Sequence, residues 1–527
     1  MAWKSLFRAT VGASALIAVA SAGASAQETP KNGGVLKFAT QGEATSYDCH
    51  VGTSIASQQY LAPHYSTLLD FDTNNYPNIV GDLAKEWSVS PDGLTYSFVL
   101  HSNVKFHDGS ALTADDVKAS FERIARPPEG VASVRRAAFA KLDAITVTAP
   151  DKLEFKLKSP SAAFIATLAS PWNCIYSAKL LASNPDYPSK VIMGSGPFVF
   201  EEYQAGAVWK GKKFADYFVA GKPHLDGFEA TLVSGEAVIN SIAGKQLDAN
   251  FRLISTPQME RIKQVRGDEV TFQTVPSTSV NMVTINTKKK PFDDPRVRKA
   301  LSLAFDRYAG VTVLGDQAGQ RWPNLIFRHG NAFAPDEAAL KGYAGFSGDI
   351  EAQREEAKKL LAEAGVSDLK FVFLNRAIKV PYEPLGIFFI DQWRRIGVEV
   401  TMESVETGPW AARLKSGDFD VAIDFNAPSS DDPTEVLQRY VPGTPGNYTG
   451  LDDPKLVELY QAQDNTTDPA ERAKLVKEFV DRHVDGASII PTFNPERTVV
   501  FDKAVKGWNV APPFVVGLNL RDIWLDR

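Results

Sequence analysis

Apolar and polar residues alternate with period two from 95 to 100, with Tyr96, Phe98 and Leu100 on one face and Thr95, Ser97 and Val99 on the other. That pattern predicts a half-buried strand. Pro91-Asp92-Gly93 precedes it as a turn: Pro presets φ, Asp bonds back to the backbone and Gly takes positive φ. Asn103 interrupts the alternation and Val104-Lys105-Phe106 resumes it, which predicts a hairpin, with His107-Asp108-Gly109 as the next turn. The period then lengthens. Val117, Phe121 and Ile124 recur at helical spacing, and Thr113 with Asp116 makes a near capping box. Two short strands, 142–149 and 152–158, surround Pro150-Asp151. Together these elements predict a mainly antiparallel subdomain over 76–189.

Elsewhere the chain mixes both periods. A strand is expected at 35–39, then a polar loop at 42–53 and a helix-like run at 60–69. A further strand spans 280–286. A helix follows, with Asp294 as cap, Pro295 in its first position, and Val297, Leu301, Ala304 and Phe305 as its apolar face. Helices at 350–364, 382–396 and 409–415 then alternate with strands at 369–374, 398–403 and 419–425, and Gly365, Gly397 and Gly417 stop the helices. This alternation predicts a parallel-rich α/β sheet. Helices at 454–463 and 469–483, a strand at 488–493 and short strands in the tail complete the chain.

With 527 residues the chain is too long for one ordinary core. It is 44% hydrophobic and 23% charged, an ordinary globular balance. Residues 1–26 read as a signal peptide: Lys4 and Arg8 are basic, 11–19 is a short apolar core, and Ala24-Ser25-Ala26 is an A-x-A cleavage site. Cleavage after Ala26 removes two cations and takes the net charge from −6 to −8. An acidic chain without a basic stripe argues against nucleic acid as partner. Lys288-Lys289-Lys290 reads as a solvated loop. The expected product is a soluble exported protein, most simply periplasmic. Its two cysteines, Cys49 and Cys174, are either one disulfide or two buried thiols. The seven histidines show no metal-ligand spacing, and no cofactor is expected. No phosphate loop, nucleophile elbow or His-Glu-x-x-His string is present.

Several strings are specific enough to identify a family. Trp87-x-x-Ser-x-Asp-Gly-Leu-Thr-Tyr-x-Phe-x-Leu is followed by Val104-Lys-Phe-His-Asp-Gly and Thr113-Ala-x-Asp-Val. Gly194-Ser195-Gly196-Pro197-Phe198 and the stretch Pro291-Phe292-Asp293-Asp294-Pro295-Arg296-Val297-Arg298 come later. Together they resemble the family 5 extracellular solute-binding proteins, the peptide, nickel and opine receptors of ABC importers. The resemblance implies an α/β, two-lobed, periplasmic-binding-protein-like type II fold with an extra subdomain in the first lobe and a hinge. On that pattern 27–75 and 190–282 form the first-lobe core, 76–189 the subdomain, 283–487 the second lobe, and 488–527 returns to the first. It further implies a monomeric, non-enzymatic receptor for a small solute that docks on inner-membrane permease subunits.

Polar and aromatic residues at strand ends and in loops are the expected ligand groups. They are Tyr47 and His50 in the first polar loop, and Trp172 and Asn173 beside Cys174. In the second lobe they are Arg376, Trp410, Asn426, Ser429 and Asp431. Arg376 offers a two-pronged donor to a solute carboxylate. Peptide receptors of the family place an Asp three residues before an Asp-Pro pair to hold the peptide's amino terminus. Here that position is Ser429, and Asp431 is the nearest acid, so free-amine recognition is not expected by that route. Two other readings stand beside the receptor: a secreted two-lobed hydrolase using Asp115-Asp116, Asp293-Asp294 or Asp431-Asp432, and a periplasmic chaperone-like binder.

Overall fold

The computed structural model describes residues 29–527 except 41, 45, 53, 132, 379 and 445. The expected signal peptide therefore lies outside the described residues. The organising element is the strand Ile489–Asp502. Its first part pairs antiparallel with Val280–Ile285 and Gln320–Pro323. Its second part pairs with Val270–Pro276 and Ala249–Asn250. One strand thus serves both lobes and joins their sheets into one path. The strand expected at 488–493 runs on to Asp502, although Asn494, Pro495 and Glu496 break the apolar run. The backbone continues through them, and Asn494 Nδ2 donates to the carbonyls of Ser277 (2.7 Å) and Ser279 (2.9 Å), fastening the neighbouring crossing segment.

In the first lobe Val35–Thr40 runs parallel to Gly227–Leu232, which pairs antiparallel with Val208–Lys213. Its core is built on Phe38, Phe198, Trp209, Phe228 and Phe501. In the second lobe Lys370–Arg376 is parallel to Glu399–Val405 and to Val421–Asn426. The sheet is less parallel than expected, because Val421–Asn426 meets Val280–Ile285 antiparallel, and that strand meets the shared strand antiparallel. The helices stop as read, with Gly365, Gly397 and Gly417 at positive φ (73°, 84° and 75°). Asp294 caps its helix by accepting from the backbone N–H of Arg296 at 2.8 Å.

The subdomain is a four-stranded antiparallel sheet in the order Ala84–Val89, Thr95–Leu100, Lys152–Leu157, Leu142–Ala149. Helix Ala114–Ala125 packs on it with Val117, Phe121 and Ile124 buried, and the Thr113–Asp116 capping box forms. The Pro91-Asp92-Gly93 turn joins the first two strands. The second hairpin is a correction: 104–106 does not pair with Thr95–Leu100, whose second neighbour is Lys152–Leu157. It makes a single bridge from Lys105 to Ala111. The run read as helix at 60–69 is also different. Helix Ile55–Leu61 starts earlier, Pro63 leads into one tight turn, and Leu69–Phe71 is a strand.

Candidate functional site

A cavity of about 510 Å³ lies between the subdomain and the second lobe. One wall is the subdomain from Val134 to Lys141 and from Ser159 to Asn173. The other is Ser429 to Gln438 with Tyr460 to Asn465 of the second lobe. Its rim is fastened at Asp464. Ser161 Oγ donates to Asp464 Oδ1 at 2.9 Å, and the Ala162 N–H donates to the Asp464 carbonyl at 2.9 Å. Lys141 pairs with the Asp464 carboxylate and donates to Asn465 Oδ1 at 2.9 Å.

Arg135 stands in the subdomain wall just before the tight turn Arg136–Phe139, which Phe139 anchors by burying its ring near Phe121 (5.7 Å). Its guanidinium donates to the carbonyls of Cys49 (3.1 Å), His50 (3.3 Å) and Gly52 (2.6 Å). Its other face lies 4.5 Å from the Trp172 ring, a cation–π distance. Burial lowers its pKa to about 10, against the pull of Glu435 across the cavity. The three carbonyls belong to a loop closed by a Cys49–Cys174 disulfide. Beneath the bridge, Asp48 accepts from Arg123 Nη2 (2.5 Å) and from the Tyr176 hydroxyl (3.0 Å). Arg123 Nη1 donates to His50 Nδ1 (3.0 Å), which leaves Nε2–H to donate to the Cys174 carbonyl (3.0 Å). Burial pushes the His50 pKa down to about 3, so its ring is neutral. Burial also opposes Asp48 ionisation, but the Arg123 guanidinium and the His50 backbone N–H (2.9 Å) outweigh it and hold that carboxyl below its ordinary value.

On the opposite wall helix Pro433–Gln438 begins at Asp432, whose Oδ1 accepts from the Thr434 N–H at 2.8 Å. Asp432 is gripped by Arg472 through two bonds (2.9 and 2.8 Å). Glu435, in the first turn, curls back. Its Oε1 accepts from the N–H (2.6 Å) and hydroxyl (2.8 Å) of Ser429, and its Oε2 from the Ser430 hydroxyl (2.6 Å).

The expected site residues separate into groups. Asn173 and Ser429 line the cavity, and Trp172 backs Arg135. His50 is enclosed in the network beneath the disulfide. Tyr47 packs on Trp209 (5.5 Å) in the first lobe. Arg376 is boxed by Tyr382 (4.4 Å), Trp410 (4.9 Å) and Phe425 (5.4 Å), and donates to the Tyr382 hydroxyl (2.6 Å) and Thr407 Oγ1 (2.9 Å). Trp410 is buried, with its Nε1 donating to the Ile423 carbonyl (3.2 Å). Asn426 Nδ2 fastens the Val436 carbonyl (2.9 Å). Asp431 does not cap the helix. Its carboxylate accepts from Arg328 Nε (2.8 and 3.0 Å), and its carbonyl from Asn331 Nδ2 (3.0 Å). Sequence reasoning missed Arg135, Glu435 and the Lys141–Asp464 fastening. Arg135 sits in a short aperiodic stretch, and Glu435 reads as an ordinary first-turn acid.

The family model described as "Bacterial extracellular solute-binding proteins, family 5 Middle" matches residues 78–448. The chain is 28% identical to di/tripeptide-binding protein 2 of Pseudomonas aeruginosa over 88% of this chain and 92% of that protein. It is 25% identical to heme-binding protein A of Haemophilus influenzae over 89% and 87%. Among solved structures it resembles the binding protein AgaA of A. tumefaciens in complex with agropinic acid, with TM-score 0.78, 25% identity, and 94% and 99% of the two chains covered.

Proposed function

The chain belongs to family 5 of the bacterial extracellular solute-binding proteins, and on that premise we propose that it encloses one compact solute in the cavity between subdomain and second lobe. As an ABC importer's receptor it captures that solute by lobe closure and hands it to the membrane permease. We place it in the periplasm as a monomer that carries out no chemistry on its cargo. The observation that carries the reading is the cavity itself: its two walls come from different lobes and are drawn together at Asp464. Its volume falls within the ordinary range for small-molecule sites, roughly 300–1,000 Å³.

Four of the six acids considered for hydrolysis support the receptor over an enzyme. Asp116 and Asp294 are spent on helix caps, and Asp431 and Asp432 on Arg328 and Arg472. The test is thermal unfolding with a panel of dipeptides, opines, oligosaccharides and metal chelates. A bound solute at 100 times its Kd adds about 2.7 kcal/mol of apparent stability. Ala166 lines the cavity, so Ala166→Trp should abolish the shift while the chain stays folded. No shift with any class, together with no solute carried through purification, would sink the receptor reading.

A further inference from the structure

We infer that Tyr76 is a closure latch: its ring seats on the Arg328 guanidinium across the lobe boundary, and this contact, which touches no solute, slows the release of every solute equally. The latch rests on the receptor reading above and adds a residue to its closing step. Tyr76 stands in the turn between strands Leu69–Phe71 and Ile79–Gly81 and packs on the subdomain core, its ring 5.5 Å from Phe71. Arg328 belongs to the second lobe. There its Nε donates to both Asp431 carboxylate oxygens (2.8 and 3.0 Å), and its Nη1 to the His329 carbonyl (2.9 Å). Asn331 Nδ2 fastens the Asp431 carbonyl (3.0 Å). The guanidinium donors form a planar fork, so these bonds leave the face of the cation open. All of them stay within the second lobe and fix the cation whether the lobes stand apart or together. The guanidinium carbon lies 5.9 Å from the Tyr76 ring centroid, within cation–π reach.

The Arg328 and Asp431 side chains are each only 9% exposed, so the contact forms in a poorly solvated joint, where a cation–π contact is worth more than at an open surface. The ring makes it. The Tyr76 hydroxyl stands near the Asp431 backbone N–H but makes no hydrogen bond of ordinary geometry. Burial, with the Asp431 carboxylate adding, pushes the pKa of that hydroxyl up and keeps it neutral. Neither Tyr76 nor Arg328 lines the cavity. Asp464 fastens one part of the joint, to Ser161, Ala162 and Lys141, and Tyr76 fastens another. A contact made only when the lobes meet favours the closed state by its own free energy. Solute leaves after opening, so losing the contact speeds release and leaves capture by the open receptor unchanged. The factor is the same for every solute, which separates a latch from a specificity residue.

The test begins on the full exported protein without solute. The Ala162 N–H donates to the Asp464 carbonyl across the joint (2.9 Å), so its hydrogen exchange reads the closed population directly. Tyr76→Leu keeps apolar bulk against Phe71 but lacks the π face, and should speed that exchange about 5- to 30-fold, the range of a partly to fully desolvated cation–π contact. Tyr76→Phe keeps the ring and should stay within about twofold of the wild type. Amides of the strand Thr95–Leu100 are the internal control for folding. Stopped-flow titration with the dipeptide Ala-Leu and with N-carboxyethyl-arginine follows. Whichever binds should dissociate faster from Tyr76→Leu by that same factor, with its association rate unchanged. Exchange at Ala162 equal in Tyr76→Leu and the wild type, no protection there in the wild type, equal loss in Tyr76→Phe and Tyr76→Leu, or a slowed association rate would overturn the latch and leave the receptor reading intact. If neither probe binds, nor any member of the broader panel, the receptor reading falls, and the exchange result still decides whether Tyr76 joins the lobes.

Discussion

Replacing Cys49 and Cys174 together by alanine should weaken the fold and the cavity at once. Both are buried, at 0% and 1% exposure, so alanine loses the bond without exposing a polar atom. The bridge closes a separation of 125 residues. The chain-entropy expression gives about 5 kcal/mol for such a loop, and measured removals fall at about 2–5 kcal/mol. The local effect follows from position. The carbonyls of Cys49, His50 and Gly52 cradle Arg135 from one side, and Trp172, two residues before Cys174, faces it from the other. Loosening that platform should lower solute affinity about 10-fold, the equivalent of one ordinary hydrogen bond or slightly more. Urea unfolding followed by tryptophan fluorescence reads the first effect, and titration of the folded variant the second. Stability unchanged within about 1 kcal/mol would contradict the role of the bridge. Lost stability with unchanged affinity would contradict its role in holding Arg135.

Arg123→Met leaves Asp48 buried without its cation and should cost about 3–5 kcal/mol in the same urea assay, whereas a surface arginine change would cost far less. Asp464→Ala removes the carboxylate that Ser161 and Lys141 share, and should weaken binding about 10-fold and enlarge the liganded radius of gyration in solution scattering. An unchanged radius with unchanged affinity would mean that closure does not depend on this contact. Burial raises the Asp70 pKa to about 6, with Asp82 adding and Arg521 opposing. The unfolded chain titrates near 3.9, so between about pH 4 and 6 the folded state binds the extra proton and Asp70 costs stability as pH rises. Asp70→Asn should therefore gain about 2–3 kcal/mol on the wild type between pH 4.5 and 7.5. Parallel profiles for the two proteins would refute the assignment.

The elements legible in the sequence were those written in short-range patterns. The Pro91-Asp92-Gly93 turn, the Thr113–Asp116 box, the Asp294-Pro295 start and the glycine stops all formed, because each is decided within four or five residues. The failures were decided at long range. Residues 104–106 alternate like a strand, but Lys152–Leu157 occupies the edge they would need. The shared strand continues through Pro495 because Gln320 and the Ser277 N–H, both far away in the chain, hold it, and no local preference announces that. The cavity fared likewise. Asn173 and Ser429 were identifiable as polar residues near strand ends. Arg135 is identifiable only from the fold, which sets it beside Trp172 in the cavity wall. The contact between Ser429 and Glu435 spans six residues, beyond any local pattern.

The most direct test of the account is a crystal structure of the protein with the solute it retains through native purification. One unmodified small molecule should lie between the 134–173 stretch and the 429–465 stretch. A solute bound outside this cavity, or a cleaved product within it, would contradict the account.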